Sequence, residues 1–148
     1  HLGDPEGIPE DVLAKLRKAI DETSGFDKLT LSLAINYGGR QEILRAARKF
    51  AQDVQKGRHI PEDLTDVVFS SYLFTADYPD PDLIIRTGGE YRVSNFLLWQ
   101  LAYAELYTSR LLWPDFREEQ FMEALADYQG RERRFGKTGD QLKSDSTD

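Results

Sequence analysis

The chain has 148 residues, 40% of them hydrophobic and 30% charged, enough for one domain with a core of its own. Its net charge of -7 argues against a broad nucleic-acid-binding face, and the absence of cysteine excludes disulfides and thiolate metal sites, which suits a reducing cytosol. No run approaches the ~20 consecutive apolar residues of a membrane span and no signal peptide opens the chain, so the expectation is a soluble cytoplasmic protein or a piece of one.

His1-Leu2-Gly3-Asp4 reads as the end of a strand, closed by Pro5 and a turn. Pro9 opens a helix to about Thr23, with Val12, Leu13, Leu16, Ala19 and Ile20 as its inward stripe and Ser24-Gly25 as its stop. Leu29–Ile35 alternates apolar and polar residues and predicts a strand. Asn36-Tyr37-Gly38-Gly39-Arg40 is the turn that follows. A helix over Gln41–Lys56 is predicted to face Ile43, Leu44, Ala47, Phe50 and Val54 inward. Pro61 starts another helix, to about Leu73, and Asp77–Pro81 forms a stiff Asp/Pro loop. Leu83–Arg86 is the next strand, then a helix over about Ser94–Ala102, a short strand near Leu106, and a last helix from about Arg117 to Arg134. Beyond Gly136 the segment Lys137–Asp148 is polar except for Leu142 and is expected to be a flexible tail.

This order predicts an α/β domain with a parallel sheet flanked by helices. The unbroken Leu83-Ile84-Ile85 run asks for cover on both faces of its strand. Three or four strands alone would leave an unprotected edge. The expectation is therefore that residues 1–136 are the carboxyl-terminal part of one domain whose upstream portion is absent from this chain.

The richest chemistry follows the Leu83–Arg86 strand. Arg86, two glycines, Glu90, Arg92, Val93, Ser94 and Asn95 come within ten residues, at the carboxyl end of a strand, where open α/β sheets hold ligands. Two guanidinium groups with a hydroxyl and bare backbone between them suit a diphosphate. The alternative is a strand-to-helix loop whose arginines pair with nearby carboxylates. Asn36–Arg40 also sits at a strand end, so the two loops could meet, or it is a plain turn with a helix-capping asparagine. Glu105 stands in an otherwise apolar run and asks for either a salt bridge or Mg²⁺. His1 and His59 lie far apart and do not suggest a histidine site. Arg131–Arg134 places cations at a helix end with Gly136 as the cap.

Five blocks in order carry a resemblance: Asn36–Arg40; Ile85–Glu90 with Arg92–Phe96; Leu97–Tyr107; Leu112–Phe116; and Arg131–Gly136. Together they resemble the carboxyl-terminal portion of a cis-prenyltransferase, the undecaprenyl diphosphate synthase family. The resemblance implies a cis-prenyltransferase-like fold and condensation of isopentenyl diphosphate with an allylic diphosphate, such as farnesyl diphosphate, to a Z-polyprenyl diphosphate. It implies that Arg86, Arg92 and Ser94, with Val93 between them, hold the isopentenyl diphosphate, and that Glu90 and Asn95 orient the arginines. Glu105 would help hold Mg²⁺. Arg134 and Gly136, flanking Phe135, would reach across a homodimer to the partner's site. Tyr91 stands where some relatives have histidine, which weakens a proton-shuttle role there.

The Asp-Gly-Asn-Gly-Arg-type motif of such enzymes, whose aspartate serves the allylic diphosphate, does not occur in these residues. The resemblance thus implies the isopentenyl diphosphate half of a site, no catalytic residue of its own, and activity only together with the amino-terminal segment. The alternative is a non-catalytic subunit of a heteromeric cis-prenyltransferase. No nucleic acid is expected as a partner, and membrane contact would be peripheral at most, through a lipid product.

Overall fold

The computed structural model describes residues 1–131, which fall into two compact units. The first comprises His1–Pro79 with Asn95–Leu97, and the second Asp80–Ser94 with the chain from Leu98 onward. The predicted tail, Arg134 and Gly136 lie outside the described residues.

In the first unit, helix α1 spans Glu10–Thr23 directly after Pro9, whose fixed φ and missing N–H suit a helix start. Its predicted stripe is only half covered: Val12, Leu13 and Leu16 are half-buried, while Ala19 and Ile20 are exposed. None of the α1 residues is fully buried, because no element of the described residues covers the carboxyl half of the stripe.

Helix α2 spans Gly39–Gln55, and its inward row is Gly39, Glu42, Ala46 and Phe50. This differs from the predicted row, since Leu44 and Ala47 are exposed and Ile43 and Val54 only half-buried. The cause is Glu42, a carboxylate that goes inside because it finds two donors there. Ala46 and Phe50 join Phe69 and Leu73 in the buried core of this unit.

The helix predicted from Pro61 to Leu73 is instead a turn of 3₁₀ helix, Pro61–Asp63, and a separate short helix α3, Asp66–Ser70. Leu64 and Thr65 have extended backbones, and the Thr65 hydroxyl accepts from Val68 N at 3.2 Å, so the chain stops and restarts with a new cap. The predicted Leu29–Ile35 strand is also absent. Only Leu2 pairs with it among the described residues, in parallel, through Leu2 N to Leu33 O at 2.9 Å and Ile35 N to Leu2 O at 3.0 Å. A strand needs a ladder along its length, and without one Leu29 and Leu31 are 84% and 78% exposed.

The second unit contains the parallel sheet. Strand β1, Leu83–Arg86, pairs with β2, Glu105–Thr108, in the register Leu83↔Glu105 to Arg86↔Thr108. All four β1 residues are half-buried rather than fully covered. Helix α4, Glu118–Gln129, packs against β2 with Ala124 fully buried. It ends before the predicted Arg134, and Arg131 lies beyond its last turn. The helix expected over Ser94–Ala102 is not formed. Ser94, Asn95 and Leu97 have φ of 48°, 62° and 43°, which a right-handed helix cannot contain, and only Gln100–Tyr103 closes a 3₁₀ turn. The fold class is nonetheless the one predicted, a parallel sheet with helices.

Candidate functional site

β1 delivers Arg86 at its carboxyl end, where the chain leaves the sheet. The side chain is half-buried, and its Nε is buried without a hydrogen-bond partner among the described residues. A guanidinium nitrogen without an acceptor is costly in a folded interior and marks a place where an anionic acceptor fits. The backbone here is fixed from below: Ser109 N donates to Arg86 O at 2.8 Å.

Gly88 and Gly89 have φ of 78° and 67°, a left-handed turn that other residues resist. Their N–H groups do not point at an anion, as the sequence suggested. Gly88 N donates to Leu111 O at 2.7 Å and Gly89 N to Ser109 O at 2.9 Å. The glycines therefore shape the turn and tie it to residues 109–111. The cationic part of the loop is side-chain work.

Arg92 is largely exposed and pairs with Glu90, Nη2 to Oε2 at 2.6 Å. Glu90 is thus paired with one of the two arginines, and Arg92 remains open to solvent on its other side. Val93 and Ser94 are exposed, with Ser94 in the left-handed region.

Asn95, expected to orient the arginines, makes its hydrogen bonds elsewhere. Its carbonyl accepts from Gly39 N at 2.7 Å, its Oδ1 accepts from Arg40 N at 2.9 Å, and its Nδ2 donates to Gln41 Oε1 at 3.1 Å. All its side-chain bonds go to the start of α2, and none goes to Arg86 or Arg92. Asn95 and the Asn36–Arg40 turn do meet, as the sequence allowed for their two loops, although the strand predicted before Asn36 is not formed.

Glu42, missed by the sequence reading, supports that turn from inside. Its Oε2 accepts from Tyr37 OH at 2.5 Å and its Oε1 from Phe74 N at 2.7 Å. Burial first, and then the bond to Glu42, push the Tyr37 phenol well above its usual pKa. Tyr37 also packs edge-on against Phe74 and Phe96, and Arg45 lies 4.0 Å over the Phe74 ring. The available signal was the spacing of Glu42, Ala46 and Phe50, one helical row with a carboxylate in it.

Glu105 opens β2 and is claimed by a cation. Arg131 Nη1 donates to Glu105 Oε2 at 2.9 Å and to Leu106 O at 3.0 Å, and Arg131 Nη2 pairs with Asp127 Oδ2 at 2.5 Å. The salt bridge that the sequence offered as one alternative is present, with Arg131. No group of three acidic or histidine side chains capable of holding a metal occurs among the described residues. Glu105 supplies one carboxylate already in an ion pair, so these residues do not by themselves fit a Mg²⁺ site.

Residues 1–136 match the family described as "Putative undecaprenyl diphosphate synthase". The chain belongs to the undecaprenyl diphosphate synthase family. It is 50% identical over 145 residues to an isoprenyl transferase of Geobacter sulfurreducens, covering 98% of this chain and 59% of that protein. It is also 50% identical to a ditrans,polycis-undecaprenyl-diphosphate synthase, (2E,6E)-farnesyl-diphosphate specific, of Pseudomonas syringae pv. tomato, over 97% of this chain and 57% of that one. Among solved structures, lavandulyl diphosphate synthase from Lavandula x intermedia, in complex with dimethylallyl diphosphate, superposes with a TM-score of 0.89 at 39% identity. The match covers 92% of this chain and 58% of that one. The chain thus spans little more than half the length of these relatives.

Membership agrees with the cis-prenyltransferase-like fold predicted from the five blocks. Within this family member, Arg86, Glu90, Arg92, Val93 and Ser94 fall in the second unit, whereas Asn95 is bonded within the first. No helix of the described residues is long and apolar enough to cross a membrane.

Proposed function

We propose that this chain serves prenyl chain elongation by a cis-prenyltransferase, supplying the residues that bind isopentenyl diphosphate. The observation that carries the reading is the buried, unpartnered Nε of Arg86 at the carboxyl end of β1, in a chain of this family. Arg86 would grip one phosphate from a half-buried position, where a charge-assisted bond is strongest. Arg92, aligned by Glu90, would meet the second from a solvent-facing one, and the Ser94 hydroxyl would donate to a bridging or terminal oxygen.

In the reaction, the double bond of isopentenyl diphosphate attacks the allylic carbon of a primer such as farnesyl diphosphate. The carbon–oxygen bond to diphosphate breaks, a carbon–carbon bond forms, and a proton is lost to give the new Z double bond. The arginines contribute by holding the nucleophilic olefin in one place, which is a proximity effect. In this reading the allylic diphosphate is bound by residues beyond these 148. The length of the relatives supports that, since the chain covers 59% of the Geobacter protein. Any Mg²⁺ that serves the reaction would need ligands besides Glu105, and no step here is assigned to it.

The same proposal includes a cytoplasmic homodimer. Its support is the exposed apolar set Leu111, Leu112 and Trp113, which is 41%, 63% and 73% accessible. The deciding experiment is incorporation of radiolabelled isopentenyl diphosphate into a longer prenyl diphosphate, with farnesyl diphosphate as primer, by the full polypeptide containing these residues. Incorporation that disappears in Arg86→Ala supports the proposal; incorporation unaffected by that change removes Arg86 from the site.

A further inference from the structure

We propose that the groove between α2 and the segment just after α3 binds hydrogen phosphate, at a site that shares no residue with the Arg86–Ser94 loop. Every residue it uses lies in the first unit, and it goes beyond the prenyl-transfer reading without depending on it.

The groove encloses about 370 Å³, at the small end of ligand-sized cavities and enough for a free oxyanion. Arg45 and Lys49 line it, four positions apart on α2 and therefore on one helix face. Arg45 is half-buried and already held in place. Its guanidinium lies 4.0 Å over the Phe74 ring, and its Nη1 donates to Tyr72 O at 3.2 Å. This side chain makes no other hydrogen bond among the described residues, so its remaining N–H groups can serve an anion. A guanidinium fixed in this way loses little freedom on binding and can grip an oxyanion with two parallel bonds. Lys49 is exposed and joins no ion pair among the described residues, in a chain whose net charge is -7.

The rest of the polar lining accepts. Ser71 Oγ donates its hydrogen to Val68 O at 2.7 Å, which leaves only lone pairs for a ligand. Asp53 takes the Tyr72 hydroxyl on Oδ2 at 2.9 Å and Arg58 Nη1 on Oδ1 at 3.0 Å. The bond from Tyr72, first among its contacts, holds the Asp53 carboxyl below the usual carboxylate range, so it too offers only lone pairs. Its charge is met by Arg58, which leaves the charges of Arg45 and Lys49 uncompensated. An anion without a proton would set lone pair against lone pair at Ser71 and Asp53. Phosphate that keeps a proton near neutral pH can donate it there while its other oxygens accept from Arg45 and Lys49. Sulfate has the same shape and no proton to give.

The test is isothermal titration calorimetry of the full polypeptide containing these residues, with inorganic phosphate and, separately, with sulfate at matched ionic strength. The reference protein carries Arg86→Ala and Arg92→Ala, so that the loop after β1 does not add to the signal, and Lys49→Met or Arg45→Met is placed on it. The reference is expected to bind phosphate saturably. Lys49→Met should weaken that binding about tenfold, the size of one charge-assisted contact, and sulfate should bind about tenfold more weakly than phosphate. Arg45→Met should abolish binding. Arg45 also touches Phe74 and Tyr72, so Lys49→Met, a change at an exposed position, carries the result if the arginine variant does not fold. Absence of saturable binding to the reference overturns the inference, and so does binding indifferent to Lys49→Met. Sulfate held as tightly as phosphate overturns the hydrogen phosphate assignment and leaves an unselective cationic patch.

Discussion

The hydroxyl of Tyr37 donates to the carboxylate of Glu42 at 2.5 Å, and Glu42 is 1% exposed. The other Glu42 oxygen accepts from Phe74 N at 2.7 Å, so one buried carboxylate holds the Asn36–Arg40 turn and the Phe74 backbone together. Glu42→Ala leaves both donors buried without an acceptor and is expected to cost about 3 kcal/mol or more. Glu42→Gln keeps an acceptor for one of them and should cost about 1 kcal/mol. Urea unfolding checks both: the midpoints should fall in that order with little change in slope. Equal midpoints for Ala and the parent would mean that the pair contributes nothing.

Tyr37 makes the same cluster sensitive to alkali. Its phenol is pushed above the ordinary value of 10.0 by burial and by Glu42, so the folded state prefers the protonated form. Such a group contributes stability that is fully present below the unfolded pKa and is lost as pH rises through the folded one. Stability should therefore fall as pH climbs above 10.0. Tyr37→Phe should flatten that part of the curve while costing about 1 kcal/mol at neutral pH through the lost hydrogen bond. Following tyrosinate absorbance alongside unfolding, in the parent and in Tyr37→Phe, isolates the contribution of this residue.

Sequence patterning located β1 because Leu83-Ile84-Ile85 is apolar without interruption, and the short strand expected near Leu106 is β2. Pro9 marked the start of α1 to the residue, for a local reason: its φ is fixed by its own ring. What the pattern missed depended on distant partners. Apolar periodicity could not place Glu42 inside, because its donors, Tyr37 OH and Phe74 N, are five and 32 residues away. The Ser94–Ala102 segment has helical composition, but Asn95 bonds to α2 across 55 residues and holds the chain left-handed. In the site, residue type pointed to Arg86, which stands at the end of β1, and to Arg92 in the loop beyond it. It misjudged the glycine N–H groups, whose acceptors at Leu111 and Ser109 are invisible to a local motif.

Arg86 and Arg92 should differ in their tolerance of lysine. Arg86 is half-buried with a free Nε, so a planar fork matters and Arg86→Lys should lose nearly as much as Arg86→Ala, about 2 kcal/mol or roughly 30-fold in kcat/KM for isopentenyl diphosphate. Arg92 faces solvent beside Glu90, where a point charge can substitute in part. Arg92→Lys is expected to retain activity within about fivefold, and Arg92→Ala to lose about tenfold or more. Steady-state assays over isopentenyl diphosphate concentration check the order. Lysine tolerated at Arg86 and rejected at Arg92 would reverse the assignment of buried and exposed phosphate contacts.

Glu105 should behave as an ion-pair residue before it behaves as a metal ligand. Arg131 holds it at 2.9 Å, both side chains are under a third exposed, and Asp127 shares the same guanidinium. The bond to Glu105, first among its contacts, raises the Arg131 pKa further above its usual value, so the cation persists throughout the working pH range. A double-mutant cycle over Glu105→Gln and Arg131→Met should give a coupling of about 1 kcal/mol at neutral pH. Among the described residues Glu105 belongs to no group of three or more acidic or histidine side chains that could hold a metal. Mg²⁺ without diphosphate should accordingly leave the melting midpoint unchanged, and chelator should have no effect. Calorimetry decides the point, because binding to the folded state alone must raise the midpoint. A Mg²⁺-dependent rise that vanishes in Glu105→Gln would show that the metal displaces Arg131, and that the ion pair is only the resting arrangement.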